Sequence, residues 1–453
     1  TLGPDDDDSF SFTIASEKSS RIKWLVAKDG LMIGTTDSEW LILGGENGIT
    51  PTNVRVLRQS SYGSEYKQAT FVADTLLFFQ KGGRKLREYT YSNDNKAYLA
   101  NDLTFFADHI TETGIRDIAY QLNPDSILWA VRNDGYLIGL TYNRVTQIFG
   151  WHKHQTKGFF ESVATIEGSG DEDELWVVVK REINGSTYRS IEYFNPRSLP
   201  GQSDVVFSDM SETISIGNTF NIANITDGTT IKITYTGIVD FATDDYVKIN
   251  FTGIELIDRT VFQVKALHTG SKTFELYSGG VPVGGTFDDT EIGTVKKVSK
   301  TITGLTHLIG ETVSILGDGA VFPLQEVSGT GTLTLNSYVN KVVAGLPYAM
   351  EIIPESVEIP GNVTLGAKRR ISRVFFRLYK TLGGFVGAGY DTLQEIRYRE
   401  TDVPFGSPPA LYTGIKDLPI NDSSGEEQSV VLYHDQPLPF TVLAIVFDIT
   451  YSR

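Results

Sequence analysis

His152 and His154 are the first residues to weigh for chemistry, because on an extended strand positions i and i+2 share a face and could hold one metal ion. The competing reading is the exposed end of a strand in Phe149-Gly-Trp-His-Lys-His154, and it is the one adopted: no metal site is expected. No His-Glu-x-x-His occurs among the six histidines, and no serine sits between glycines at −2 and +2, as a hydrolase elbow requires. Gly361-Asn-Val-Thr-Leu-Gly366-Ala-Lys-Arg369 comes near a phosphate loop. Ala367 stands where the lysine is needed and Arg369 where the Mg²⁺-binding hydroxyl belongs, so a turn before a strand is expected. The acidic runs Asp5 to Asp8 and Asp171-Glu-Asp-Glu174 could offer Ca²⁺ ligands or a glycosidase pair. Neither has the spaced Asp-x-Asp-x-Asp-Gly order, and both read as solvated turns. No catalytic residue and no cofactor is therefore expected.

One basic element remains: Lys368-Arg-Arg-Ile-Ser-Arg-Val-Phe-Phe-Arg-Leu-Tyr-Lys380. With period two, Val374, Phe376 and Leu378 form one apolar face, while Arg373, Phe375, Arg377 and Tyr379 form the other. Arginine alternating with aromatic residues suits stacking or a protein interface. A sheet with one solvated face accounts for the pattern as well. The four residues Arg373, Phe375, Arg377 and Tyr379 are the candidate interface.

The elements that must carry these residues are strands. Val, Ile, Thr, Tyr and Phe gather in short runs broken by Gly, Asn, Asp or Ser, and no helix longer than two turns is visible, so the expected class is all-β. From Phe10 to about Phe194 the runs repeat, with first strands beginning at Ile22, Ala69, Ile115 and Val163, spacings of 47, 46 and 48. Each unit has a turn signal between its second and third strands: Thr36-Asp-Ser, Lys81-Gly-Gly, Asn133-Asp-Gly and Asn184-Gly. A period in the forties with several strands per unit predicts a β-propeller-like domain over 1–204. Near Val205 tryptophan disappears and Thr, Gly and Asp take over, which predicts a small β-barrel over 205–298 and a further β domain over 299–453.

At 453 residues the chain has room for several cores. It contains no cysteine, which removes disulfides, thiolate metal sites and cysteine nucleophiles. With 40 Lys+Arg against 56 Asp+Glu, its net charge of −16 opposes wrapping of nucleic acid. Its longest apolar run, Val442 to Phe447, is far below the roughly 18 residues of a spanning helix, so no membrane insertion is expected.

Several stretches resemble one family. Trp40-Leu-Ile-Leu-Gly-Gly45, Thr50-Pro-Thr-Asn-Val-Arg-Val-Leu-Arg-Gln-Ser-Ser-Tyr-Gly-Ser64, Asp125 to Tyr142, Gly150-Trp-His-Lys-His154, Gly304 to Gly319, Val343-Ala-Gly-Leu-Pro-Tyr348 and the Arg370-to-Tyr379 strand are similar to the tail nozzle proteins of tailed bacteriophages, the tail tubular protein B-like or stabilization group. The middle region, with Asn250-Phe-Thr-Gly-Ile, Arg259-Thr-Val-Phe-Gln-Val and Thr273-Phe-Glu-Leu-Tyr, resembles the barrel named after the first catalytic-cysteine half-domain of ubiquitin-activating enzymes. Without cysteine, that name carries no ubiquitin chemistry here.

The resemblance implies a structural virion protein in the phage tail, assembled in the host cytoplasm. Its copies would form a ring of six, contact the tail adaptor and the fibre or spike proteins, and let DNA pass the lumen without specific binding. It also implies a further portion ahead of Thr1. The alternative reading is a propeller-based tail protein that binds or hydrolyses carbohydrate, for which convergent carboxylates or aromatics at the propeller mouth would be needed.

Overall fold

The computed structural model describes residues 5, 8–14, 19–28, 30–45, 48–72, 74–94, 96–168, 170–196, 201–202, 205–286, 293–355, 368–399, 408–420 and 429–452. The chain is all-β: strands dominate and no α-helix occurs among the described residues. It divides into two compact units, Thr1–Arg197 and Ser198–Arg453.

The first unit is four antiparallel meanders. Strands β1 (Ile22–Ala27), β2 (Leu31–Thr35), β3 (Glu39–Leu43) and β4 (Arg55–Ser60) form the first sheet in chain order. The second contains β5 (Thr70–Val72), β6 (Thr75–Phe79), β7 (Leu86–Ser92) and β8 (Ala97–Asp102). The third is β9 (Ile115–Gln121), β10 (Ile127–Arg132), β11 (Leu137–Asn143) and β12 (Ile148–His154). The fourth has three strands, β13 (Phe159–Ile166), β14 (Glu174–Ile183) and β15 (Ser186–Tyr193). The four expected turns lie between the second and third strands of the four sheets, and Asn184 and Gly185 both take positive φ, 47° and 72°, as a tight hairpin of this twist demands.

The sheets pack face on face in chain order. Trp24, Met32 and Leu41 meet Leu76, Phe78 and Tyr89 between the first and second. Leu77, Phe79 and Leu86 meet Leu128, Ala130 and Leu140 between the second and third. Trp129, Val131 and Leu137 meet Val163, Val177 and Val179 between the third and fourth. Strands β6 and β10 are buried at every position because both their faces are covered, which is why they read as unbroken apolar runs. Strand β14 is apolar over Leu175–Val179 too, yet its burial alternates, since only the face toward the third sheet is covered.

In the second unit β16 (Asp209–Ser215) is followed by β17 (Thr219–Thr226), β18 (Lys232–Tyr235), β19 (Tyr246–Asn250), β20 (Val261–His268), β21 (Thr273–Ser278), β22 (Val281–Pro282) and β23 (Thr294–Ile302). Pairing runs β17-β18-β21-β20-β19-β23, and β23 pairs back to β17, closing a six-stranded barrel around Ile233, Val247, Val264, Phe274 and Val295. Next come β24 (Thr312–Gly317), β25 (Ala320–Glu326), β26 (Leu333–Val339) and β27 (Lys341–Leu346). Strand β16 joins β27, β24 and β25 in one sheet, so the barrel strands begin at Thr219 rather than at 205. Position 299 falls inside β23, whose far half leaves the barrel to pair with β26; a strand shared by two layers erases the boundary that composition suggests there.

The last strands are β28 (Met350–Ile352), β29 (Lys368–Thr381), β30 (Phe385–Gly387), β31 (Gln394–Glu395), β32 (Tyr412–Pro419), β33 (Val431–His434) and β34 (Val442–Ser452). They make two sheets, β28-β33-β30-β31 and β32-β29-β34. Val374, Phe376 and Leu378 from β29 pack with Val386 and Leu432 of the facing sheet.

Candidate interaction surface

The central position of β29 follows from its length: fourteen residues pair with β32 on one side and β34 on the other. Its two faces separate as period two requires. Val374, Phe376 and Leu378 are buried, while Arg373, Arg377 and Tyr379 are exposed and Phe375 half-buried.

Register aligns the outward face into three rows across the sheet. Arg373 lies between Asp448 and Pro419, Phe375 between Val446 and Asp417, and Arg377 between Ala444 and Ile415. Ile415 is 64% exposed and Val446 57%, as is Leu443 beside them. The surface is therefore an apolar patch crossed by a basic ladder, wider than β29 alone indicated. Ile415 and Val446 were missed in sequence because each lies about 40 to 70 residues from its neighbour in space; alternation in β32 and β34 was the signal available.

The arginines differ. Arg373 donates from Nε to Asp417 Oδ1 at 2.9 Å and from Nη2 to Asp417 Oδ2, a forked pair within the sheet, and lies 6.0 Å from the Phe375 ring. Arg377 has no ion-pair partner among the described residues. On an acidic chain, that guanidinium beside Ile415 and Tyr379 suits an apolar surface carrying a carboxylate.

The other sequence candidates take structural places. His152 and His154 come together, Nδ1 to Nε2 at 2.8 Å, so one imidazole donates to the other. Both rings pack on Trp129, at 5.2 and 5.3 Å between centroids, and His154 meets Phe194. Among the described residues no group of three or more His, Asp or Glu is arranged to hold a metal. Of the acidic run, Asp173 accepts from the amides of Leu122 and Asn123, both at 2.9 Å, and Glu174 accepts from the Trp176 indole at 2.9 Å. Asp6, Asp7 and residues 361–367 of the phosphate-loop lookalike lie outside the described residues.

Buried charges brace the first unit instead. Glu39 accepts from Ser60 and Ser64, Arg181 pairs with Glu192, and Tyr142 donates to Glu88 at 2.7 Å between the third and second sheets. Burial pushes the Glu39 carboxyl above its ordinary range, against those two hydrogen bonds and the charge of Arg87. No helix is long and apolar enough to cross a membrane among the described residues. Compared with models of protein families and with curated protein sequences, the chain matches none.

Proposed function

We propose that the chain is a structural subunit of a phage tail nozzle, located in the virion, that repeats around the tail axis and continues the channel through which the genome leaves. In this reading the four face-packed sheets are propeller blades, the closed barrel is an insertion, and the sheet bearing β29 presents an assembly surface. The observation that carries it is the order of parts: four sheets whose first strands begin 44 to 48 residues apart, at Ile22, Thr70, Ile115 and Phe159, then a six-stranded barrel set between β16 and β27, built on the segments that resemble that family. Six copies would close through heterologous contacts. The tail adaptor and the fibre or spike proteins would be neighbours. A net charge of −16 fits a lumen that does not retain DNA in transit.

The test is imaging of intact tails from a phage that encodes the chain, with this protein tagged. Ring density carrying the tag at the distal channel is the expected result. Tails with no ring attributable to it would overturn the proposal, as would hydrolysis of a host surface glycan by the purified protein.

A further inference from the structure

Among the described residues three sheets of the first unit have four strands, and the fourth has three. Strand β15 pairs with β14 on one side and with no described strand on the other, so eight residues present an open backbone edge. The face beside that edge is apolar. Trp176 stands opposite Tyr193, with ring centroids 5.2 Å apart, and Val178 opposite Ile191. Ile191 is 74% exposed and Tyr193 52%. Strand β14 thus has the two-sided apolar composition that in β6 and β10 accompanies cover on both faces, but it has cover on one.

A matching element exists at the other end of the same unit. Phe10-Ser-Phe-Thr-Ile14 alternates apolar and polar residues and belongs to no strand. Ile14 packs against Ile33, Trp40 and Ile42 on the first sheet, while Phe10 and Phe12 are 39% and 50% exposed. The described clusters join the sheets first to second, second to third and third to fourth, and none joins fourth to first.

We propose that β15 takes as its fourth strand the Phe10–Ile14 segment of a second copy of this chain. Backbone hydrogen bonds along the edge would supply the attraction, and Phe10 and Phe12, two residues apart on one side, would cover Ile191 and Tyr193. Ile14 holds the donor end on its own first sheet, and no described cluster joins that sheet to the fourth, so the occupant proposed is another copy. Donor and acceptor lie on the first and the last sheet of the packing order, so the contact is head-to-tail and repeats from copy to copy. The proposal needs no virion role and stands or falls apart from the nozzle reading.

The chain has no cysteine, so each introduced thiol is single in its preparation. Full-length Phe12→Cys and Ile191→Cys proteins are mixed and oxidised, which permits disulfides between copies alone. The expected result is a mixed dimer forming at least about tenfold faster than with Val145→Cys, a 95% exposed control in the turn between β11 and β12. Arg189→Cys and Tyr193→Cys, on the same face of β15, cover the neighbouring registers. Rates equal to the control at all three positions would overturn the proposal. So would an internal disulfide in the dilute Phe12→Cys/Ile191→Cys double variant, which would place the segment on its own β15.

Discussion

Trp129 and His152 touch edge to face, ring centroids 5.2 Å apart and planes at 80°, although a strand runs between them. Gly139 of β11 is the residue in between, paired with Trp129 on one side and His152 on the other. A Cβ there would come within 2.2 Å of His152 Cε1, so the glycine is what lets two rings from β10 and β12 meet over the middle of the third sheet. The same arrangement commits the His152–His154 pair to packing.

Gly139→Ala should therefore destabilise the first unit by about 1–3 kcal/mol, the usual range for overpacking. All five tryptophans lie in that unit, so their fluorescence during urea unfolding follows it selectively. His152→Ala added to Gly139→Ala should recover part of the loss. Equal midpoints for Gly139→Ala and the parent would contradict the packing role.

Sequence made the hairpins of the first unit legible, because Asn184-Gly185 and the turns before Leu86 and Leu137 are local signals. It also exposed the two faces of β29, since alternation is local too. What it could not convey was cover: Leu175–Val179 and Ile127–Val131 look alike as strings, yet Trp176 and Val178 of one are only half-buried while every residue of the other is buried. Pairings such as Thr213 with Val343 and Arg377 with Ile415 and Ala444 join distant segments, and no local pattern specifies them.

Glu39 and His434 should contribute to stability with opposite pH dependence. Burial raises the Glu39 carboxyl above its ordinary value of 4.5, so its contribution is fully present below that value and is lost as pH rises through the raised one. His434, stacked on Phe440 at 4.8 Å and bonded through Nε2 to the Leu438 carbonyl at 2.8 Å, is instead lowered below 6.5, chiefly by burial. Its contribution is present above 6.5 and is lost as pH falls through the depressed value. Glu39→Gln should gain on the parent as pH rises from 4 to 8, by tryptophan fluorescence. His434→Gln should remove an acid-side loss in the circular dichroism transition. A difference that does not vary with pH in either variant would refute that assignment.

No turnover is expected of the purified chain. Asp173 accepts from the Leu122 and Asn123 amides and Glu174 from the Trp176 indole, which gives both carboxylates a structural role. Reducing-end assays on host surface polysaccharides should stay at background. Hydrolysis that disappears in Glu174→Gln would overturn this expectation.

The outward face of β29 supports a prediction that separates folding from assembly. The Arg373–Asp417 pair is exposed, with side chains 51% and 37% accessible, and such pairs contribute about 0–1 kcal/mol. Arg377 has no ion pair to lose within the described residues. Replacing both arginines by glutamate should leave the unfolding midpoint nearly unchanged, because Val374, Phe376 and Leu378 still fill the core on the other side. Charge reversal would nevertheless place two carboxylates amid Phe375, Tyr379, Ile415 and Val446 and repel an acidic neighbour. Ile415→Asp and Val446→Asp, which alter the same rows without touching an arginine, should impair assembly in the same way. Under the nozzle proposal, tail particles counted by electron microscopy after complementation with each variant provide the measurement. If all three variants fold and tails assemble at the parental level, this face is solvated and the assembly surface lies elsewhere on the chain.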